Sequence, residues 1–205
     1  RVVGVVAEHE RAERCYRARR GVVLCAGGFI NNREMVRRHA PLLAKCKYRL
    51  ACDGDDGRGI RMGMGAGGAA IRMDAGSIVL PFTVPKGLIR GILVNRQGAR
   101  FIAEDVYQTV VGEAALLHQG GEVFLIVDDA IFERPFAPTE IAAVSDSIAG
   151  LEAELKFPPG SLQSTLAMYN EHAARGEDPV FHKQPDFLVP LLQPPFAALD
   201  FTTQK

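Results

Sequence analysis

A short glycine segment in the first third of the chain has residue types suited to holding a ligand. Ala26–Phe29 (Ala-Gly-Gly-Phe) follows the apolar run Gly21–Ala26, which we predict to be a strand buried on both faces. Glycines after such a strand let a ligand approach the backbone closely, and open α/β sheets bind ligands at the carboxyl ends of their strands. By itself, however, this pattern favours an ordinary strand-to-helix turn.

An acidic loop follows at residues 53–57, where Asp53, Asp55 and Asp56 are interspersed with glycines. Carboxylates in such a loop can bind Ca²⁺ or the hydroxyl of a ligand. The full calcium-loop pattern is absent, because no glutamate falls at the required offset. A solvated turn and a ligand contact are equally good interpretations of this loop.

The third candidate group lies at residues 104–108, directly after a predicted β-hairpin at Val94–Phe101. Glu104 and Gln108 are four residues apart, so they share a face if this segment is helical. Tyr107 lies beside them, and a tyrosine at such a position is most often a buried core residue whose hydroxyl has a partner.

A second glycine pattern is less informative. Residues Gly63–Gly68 satisfy the spacing G-x-G-x-x-G, but a dinucleotide fingerprint requires a strand directly before it and a tight turn that opens a helix. The preceding residues, Ile60–Met62, are typical of a helix that has already begun. Small residues in a close-packed helix are therefore the better interpretation.

Composition argues against several classes of protein. The 205 residues have a formal net charge of +0, whereas a nucleic-acid binder normally has a basic excess. The arginines of the first forty residues indicate a solvated face. No apolar run approaches the length of a membrane span. The four cysteines form no CxxC pair and the histidines have no metal-ligand spacing, so we expect no metal, and free thiols in a reducing cytoplasm.

Two groups of elements must position these residues. In the first group, a hairpin within Val2–Arg17 precedes the apolar strand, a helix begins after Asn31 or Asn32 and ends near Pro41, and a second helix covers Ile60–Ala70. Prolines and glycines just after this group indicate a domain boundary near residue 80.

The second group alternates strands with helices. Strands are predicted at Gly91–Asn95, Arg100–Ile102 and Glu122–Val127, and helices at Val106–His118 and Thr139–Leu155. A final helix before the proline-rich end of the chain has its leucines on one face. No internal repeat is apparent.

Six segments of the chain follow one another in a recognisable order. They are Arg17–Phe29 (pattern A-x-x-V-V-L-A-x-G-G-F), Asn32–Met35 (N-x-E-M), Gly54–Met62 (G-D-G-I-x-M, with two residues added), Ile92–Glu104 (I-x-V-N-x-x-G-x-R-F-x-N-E), Leu162–Lys183 (L-x-x-T-x-x-x-Y-N-x-x-x-x-x-G-x-D-x-x-F-x-K) and Pro194–Ala198 (P-P-F-Y-A). Their order resembles that of the FAD-dependent fumarate reductase, succinate dehydrogenase and 3-ketosteroid dehydrogenase flavoproteins. The resemblance covers nearly the whole chain.

The resemblance implies an α/β plus α+β fold, in which a Rossmann-like FAD-binding domain is interrupted by an α+β capping domain. It implies that residues 1–80 are a partial FAD-binding domain, residues 81–196 the capping domain, and residues 197–205 the return to the first domain. It also implies an internal segment of a longer protein, since the glycine fingerprint that holds the FAD pyrophosphate would lie before Arg1 and a further catalytic segment after Lys205. We therefore expect this chain alone to bind FAD poorly.

The resemblance also implies the cofactor, FAD, and the residues near it. Val3 would contact the adenine through its backbone, and the other contacts come from the glycine segment, the start of the first helix and the acidic loop. The predicted cofactor residues are Val3, Ala26, Gly27, Gly28, Asn32, Asp55 and Asp56.

The residues around Glu104 indicate the branch of the family. Fumarate reductases place a proton-donating arginine four residues after this glutamate, but here Gln108 occupies that position and cannot be a general acid at neutral pH. Tyr107 falls where certain ketosteroid dehydrogenases carry a catalytic tyrosine, which can assist proton abstraction α to a carbonyl while hydride goes to the flavin. Ala103 replaces the family's asparagine. Arg90 precedes the strand as a proton-relay arginine does, with different spacing, and completes the predicted catalytic group.

Three functions remain open at this point. The first is a flavin-dependent dehydrogenase or reductase that acts on a C–C bond next to a carbonyl, such as that of a 3-ketosteroid. The second is a fumarate reductase-like enzyme that uses another acid. The third is a non-catalytic capping fragment that binds a partner or ligand without FAD. The expected partner is a small molecule, a steroid or a dicarboxylate, and the sequence does not predict the oligomeric state.

Overall fold

The computed structural model describes residues 2–46, 48–80, 82, 85–136 and 139–202. The chain divides into two compact units, Arg1–Ala44 with Tyr48–Gly76, and Lys45–Lys47 with Ser77–Lys205. The predicted domain limits stay predictions. Pro81, at the predicted start of the capping domain, and residues 203–205, at the end of the predicted return segment, lie outside the described residues.

A two-stranded antiparallel hairpin opens the first unit and confirms the prediction for that region. Strand β1 covers Gly4–His9 and strand β2 covers Ala12–Arg17, with Gly4 opposite Arg17 and His9 opposite Ala12. The two connecting residues both have positive φ, 53° and 62°, as two-residue hairpin loops require.

Two helices complete the first unit. Helix α1, Arg33–His39, begins where predicted, because the side chain of Asn32 caps it by accepting a hydrogen bond from Met35 N at 3.1 Å. A 3₁₀ turn at Pro41–Lys45 follows. Helix α2, Arg58–Gly65, is shorter than the predicted helix and contains the first glycines of the G-x-G-x-x-G spacing. That spacing therefore lacks the preceding strand of a dinucleotide fingerprint.

The predicted buried strand at Gly21–Ala26 is wrong. Residues 21–28 have no strand structure, and Val23 and Leu24 are 86% and 47% exposed. A strand needs a neighbour that satisfies its backbone groups. In the first unit β1 and β2 pair with each other, and the described residues of that unit contain no third strand. The apolar run is therefore an irregular segment open to solvent.

A four-stranded antiparallel sheet forms the centre of the second unit, with strand order β3-β4-β6-β5. Leu93, Leu125 and Leu199 lie side by side across three of its strands, and all three are fully buried. Strands β3 and β4 agree with the predicted strands in those regions. The strands are β3 Ile92–Asn95, β4 Val123–Asp128, β5 Glu140–Ser145 and β6 Phe196–Asp200.

Helices and single turns pack around this sheet. Helix α3 is followed directly by a π-helical turn and begins at Gln108, two residues later than predicted. Glu104 precedes it, so Glu104 and Gln108 do not share a helical face. The helical segments are the 3₁₀ turn Lys86–Arg90, α3 Gln108–Glu113, the π turn Ala114–His118, α4 Ile148–Glu154, α5 Ser161–Ala173 and the 3₁₀ turn Pro185–Phe187.

Two further expectations for the second unit are wrong. The first half of the predicted helix Thr139–Leu155 is strand β5, because residues 140–145 pair with β6, and tertiary pairing overrides a local helical pattern. Helix α4 begins only after Ser147, whose side chain caps it. The predicted strand Arg100–Ile102 is reduced to one bridge, between Arg100 and Val94.

The described residues thus form a mixed α/β structure with two antiparallel sheets and five α-helices, which confirms the coarse fold class. None of the helices in the described part of the chain is long and apolar enough to cross a membrane.

Candidate cofactor and substrate sites

In the first unit the glycine segment and the acidic loop are joined by backbone and side-chain hydrogen bonds. Gly28 N donates to Asp55 Oδ1 at 2.8 Å, and Gly57 N donates to Gly28 O at 2.9 Å. Asn31 N donates to Asp55 O at 2.9 Å. The other carboxylate oxygen of Asp55 accepts from Cys52 N at 3.1 Å. The fold therefore brings together two predicted cofactor segments that lie 27 residues apart.

Asn32 and Asp56 add further hydrogen bonds between the start of helix α1 and the acidic loop. Asn32 Nδ2 donates to Asp56 O at 2.9 Å, while its oxygen caps helix α1. The carboxylate of Asp56 accepts from Arg58 N at 2.9 Å and forms an ion pair with Arg58 Nε at 2.9 Å. The side chains of both predicted cofactor residues are thus engaged in shaping the loops.

The space around the glycines shows whether an adenine nucleotide fits here. Ala26, Gly27 and Gly28 are exposed. A Cβ atom added at Gly28 would have no heavy atom within 4 Å. At Gly27, where φ is 71°, an added Cβ would meet the carboxylate of Asp55. Val3 is 64% exposed just before β1. The glycine segment therefore has an accessible backbone surface that no side chain covers. Such a surface fits a nucleotide that must lie close to the chain.

The second unit contains a buried cluster of charged side chains centred on Glu104, which has no exposed surface. Glu104 Oε1 accepts from Leu93 N and from Arg100 Nε, both at 2.9 Å. Glu104 Oε2 accepts from Arg100 Nη2 at 2.8 Å and pairs with Lys183 Nζ at 3.0 Å. Four donors therefore saturate this carboxylate, as burial of a charge requires.

Arg100 extends the cluster to a second carboxylate. Its Nη1 atom lies 2.8 Å from Asp178 Oδ2, and its guanidinium lies 5.1 Å from the ring centre of Tyr169 and 5.0 Å from that of Phe181. Such stacking on two rings suits the planar guanidinium. Two basic and two acidic groups thus balance each other in the buried cluster.

Burial and pairing shift the pKa values of these groups. Burial would raise the pKa of Asp178, but backbone hydrogen bonds from Phe181 and Lys183 and the charge of Arg100 outweigh it, so this pKa is lowered. Burial lowers the pKa of Lys183, against the opposing charge of Glu104. Burial also raises the pKa of Tyr169, helped by the charge of Glu104. The Tyr169 hydroxyl therefore stays neutral.

The cluster also fixes the backbone next to two predicted catalytic residues. Lys183 Nζ donates to Gly91 O at 2.7 Å, and the Tyr169 hydroxyl donates to Arg90 O at 3.4 Å. Asp105 Oδ2 accepts from Gln184 N at 2.9 Å. The buried cluster therefore forms hydrogen bonds with the backbone of Arg90 and Gly91. The residue after Lys183 also bonds to Asp105, which lies in the segment that leads to Tyr107.

The four predicted catalytic residues differ in accessibility. Tyr107 is 75% exposed and immediately precedes helix α3, so it is not the buried core tyrosine that its type alone favours. Gln108 is the first residue of α3, and the Arg90 side chain is exposed. Glu104, in contrast, is enclosed by the cluster. All four lie in the second unit, and all seven predicted cofactor residues lie in the first.

The sequence alone does not predict the cluster itself. Arg100, Asp178 and Lys183 stand out only as letters of motifs. The four-residue spacing of Arg100 and Glu104 is a usable signal. No spacing signal identifies Lys183 as a partner of Glu104, because contact between residues so far apart in sequence depends on the fold.

The family match defines the class of protein to which the chain belongs. The whole chain, residues 1–205, matches the model of the FAD binding domain family, and the chain belongs to that family. Membership confirms the predicted resemblance and FAD as the cofactor.

Particular relatives include NADH:acrylate oxidoreductase of Vibrio harveyi, which is 27% identical over 89% of this chain and 20% of its own length. The fumarate reductase (cytochrome) of Shewanella frigidimarina is 29% identical over 79% of this chain and 30% of its own length. Among solved structures, 3-ketosteroid-Δ4-(5α)-dehydrogenase of Rhodococcus jostii RHA1, in complex with 4-androstene-3,17-dione, is 38% identical, with a TM-score of 0.83 over 98% of this chain and 43% of that chain. This chain thus spans less than half the length of each of these relatives.

Proposed function

We propose that the protein containing this chain is an FAD-dependent oxidoreductase that acts on a C–C bond next to a carbonyl, and that its substrate is a 3-ketosteroid. The observation that carries the proposal is the likeness to the Rhodococcus jostii steroid dehydrogenase, at 38% identity over 98% of this chain. Gln108 supports it further, since a glutamine replaces the arginine that the resemblance implies as the proton donor of a fumarate reductase.

In this proposal the first unit is part of a Rossmann-like FAD-binding domain, and the second unit belongs to a capping domain. The predicted limits 1–80, 81–196 and 197–205 then need one change, since strand β6, Phe196–Asp200, pairs with β4 and β5 and so stays with the capping domain. Gly27 and Gly28 offer bare backbone to the adenosine half of the cofactor. The side chains of Asn32, Asp55 and Asp56 hold that backbone in shape through the hydrogen bonds described above. Bound FAD supplies the hydride acceptor.

Tyr107 is the proposed proton-transfer residue, because its ring is accessible and a phenol can take up or deliver a proton at the substrate carbon next to the carbonyl. Gln108 adjoins it and can donate a hydrogen bond to the substrate, but it cannot supply a proton. Arg90, which is exposed, is the proposed proton-relay arginine. Glu104, predicted to be catalytic, is proposed instead to hold the Arg90 and Tyr107 segments, since it is fully buried and saturated.

The test uses the full-length protein, loaded with FAD, a 3-ketosteroid and an artificial electron acceptor. The Tyr107→Phe variant should lose roughly 100-fold or more in kcat/KM, the usual contribution of a general acid or base. Tyr16→Phe is the matched control, because Tyr16 is also an exposed tyrosine but lies on the hairpin of the first unit; it should keep full activity. Undiminished turnover by Tyr107→Phe would remove the role assigned to this residue.

The same assay separates the alternatives. Turnover of fumarate or acrylate, with none of the steroid, would favour a fumarate reductase-like enzyme. A full-length protein that shows no flavin absorbance after incubation with FAD would instead favour a non-catalytic capping protein.

A further inference from the structure

Helix α3 carries an accessible apolar stripe that begins at the proposed proton-transfer residue. Tyr107 immediately precedes the helix and is 75% exposed, and Val110, three residues on, is 50% exposed. Ala114 is partly exposed and lies four residues after Val110, so the two share a side of the helix. Leu117, in the π turn that follows, is 47% exposed. Together these four residues form the α3 stripe.

The other side of the helix is held against the second unit. Val111 and Ala115 are fully buried. Gly112 lies so close to the chain before the helix that a Cβ atom added there would collide with the carbonyl oxygen of Ile78. Because this close approach fixes which side of α3 faces the core, the α3 stripe faces away from it.

The charges around the stripe exclude one of the two substrate classes from this surface. Residues 104–117 contain three carboxylates, Glu104, Asp105 and Glu113, and neither lysine nor arginine. Carboxylate ligands are held by basic side chains, above all by arginine. A dicarboxylate would therefore find no basic partner along the α3 stripe, whereas an uncharged hydrocarbon would bury apolar side chains there.

The length of the stripe indicates the size of that hydrocarbon. The seven residues from Tyr107 to Ala114 extend about 10 Å at 1.5 Å per residue, which is longer than a single six-membered ring. A rigid molecule of several fused rings can lie along this length with one end at Tyr107. The π turn at Ala114–His118 agrees with a binding surface, since such turns within helices are frequent at functional sites.

From these observations we infer that the fused rings of the substrate lie along the α3 stripe, and that Val110 is a specificity-determining residue that contacts the rings beyond the reacting one. This inference rests on the proposed function, because it places the reacting ring at Tyr107. It adds the surface by which the protein selects a polycyclic ketone over a dicarboxylate.

The test measures kcat and KM of the full-length, FAD-loaded protein with 5α-androstane-3,17-dione and an artificial electron acceptor. Val110→Asp places a carboxylate on the stripe, and aspartate in the first turn of a helix is compatible with folding. Its KM should rise about tenfold or more while kcat changes less than about twofold, since the lost contact serves substrate and transition state equally. Val144→Asp is the control, at a valine 47% exposed on strand β5; both constants should stay within about twofold of the wild-type values.

A second variant keeps the test decisive if Val110→Asp does not fold. Val110→Thr keeps the shape of the side chain and replaces one methyl group by a hydroxyl, so KM should rise about fourfold, as the loss of one apolar contact predicts. The inference alone is overturned if the wild type oxidises the steroid but the folded Val110 variants keep its KM, if they lose kcat at constant KM, or if Val144→Asp raises KM equally. A full-length wild type that binds FAD and does not oxidise the steroid would overturn the proposed function, and this inference with it.

Discussion

The Nζ atom of Lys183 lies 3.0 Å from Oε2 of Glu104, and neither side chain is accessible to solvent. Removing each ion from water costs several kcal/mol, which the attraction between the two offsets only when further hydrogen bonds complete both groups. Leu93 N and Arg100 complete the carboxylate, and Gly91 O accepts from the ammonium. The pair therefore holds strand β3 to the nearby Glu104 and to Lys183, which lies 92 residues beyond Gly91.

Breaking this pair from the acidic side should strongly destabilise the second unit. Glu104→Gln keeps the shape of the side chain but leaves Lys183 and Arg100 without the charge they share. The free energy of unfolding, measured with urea, should fall by about 3–5 kcal/mol, as when one partner of a buried pair is lost. Glu122→Gln is the control, since Glu122 pairs with Arg96 at 3.2 Å in a partly exposed position and should cost less than about 1 kcal/mol.

A charge-neutral double variant tests the coupling itself. Glu104→Gln combined with Lys183→Met removes both charges, so no buried ion is left without its partner. It should lose clearly less stability than the sum of the two single variants, because residues in one network are not additive. Urea unfolding of the two single variants and the double variant measures the difference. Simple additivity would show that the two side chains stabilise the fold independently rather than as a pair.

Stability at acid pH should depend on Glu152, which accepts hydrogen bonds from Gly160 N at 2.6 Å, Leu162 N at 2.8 Å and both nitrogen donors of Gln163 at the start of α5. Burial would raise the pKa of Glu152, but these hydrogen bonds outweigh it and lower the pKa below its usual range. The stabilisation is therefore present above the unfolded-state pKa of about 4.3 and is lost as pH falls through the lower folded-state value.

Glu152→Gln should accordingly lower the free energy of unfolding at neutral pH by about 1–3 kcal/mol, since a charged acceptor of buried donors is replaced. Its stability should also fall less steeply than that of the wild type as the pH drops below about 4. Urea unfolding at a series of pH values measures both effects. Glu154→Gln, at an exposed glutamate on the same helix, should follow the wild-type curve. If the free energy of unfolding of Glu152→Gln and that of the wild type fell equally steeply at acid pH, the titration of Glu152 would not be the source of the acid sensitivity.

Local signals in the sequence predict the elements that local contacts decide. The hairpin β1–β2 and the cap at Asn32 depend on neighbours a few residues away, and both are confirmed. The prediction of a helix at β5 is wrong because its strand structure comes from pairing with the distant strand β6. The run Gly21–Ala26 has a composition that suits a buried strand, but composition does not supply a neighbouring strand.

In the candidate site, too, some features are predicted by the sequence and others depend on contacts between distant residues. The order of motifs along the chain points to Glu104 and Tyr107 as members of one group, yet one is fully buried and the other 75% exposed. Burial depends on which side chains close over a residue, and for Glu104 the decisive one is Lys183, far along the chain. Motif order therefore predicts a group of candidate residues, whereas the difference in their surroundings requires the fold.

The final prediction concerns the exposed backbone at Gly28. A Cβ there meets no heavy atom within 4 Å, and the φ of Gly28 is not in the left-handed region. Gly28→Ala should therefore fold normally, with a change of less than about 0.5 kcal/mol in the free energy of unfolding. If the adenosine half of FAD lies against this backbone, the added methyl group occupies its contact surface, and the affinity of the full-length protein for FAD should fall by about tenfold or more, or about 1.4 kcal/mol.

Gly21→Ala is the matched control for this effect. An added Cβ at Gly21 also meets nothing within 4 Å, and Gly21 lies at the other end of the same irregular segment, so the change is chemically identical. Titration of the apoprotein with FAD, followed by flavin fluorescence, measures both affinities, and urea unfolding checks that both variants are folded. Equal affinities for FAD in Gly28→Ala, Gly21→Ala and the wild type would show that the cofactor does not approach the chain at Gly28.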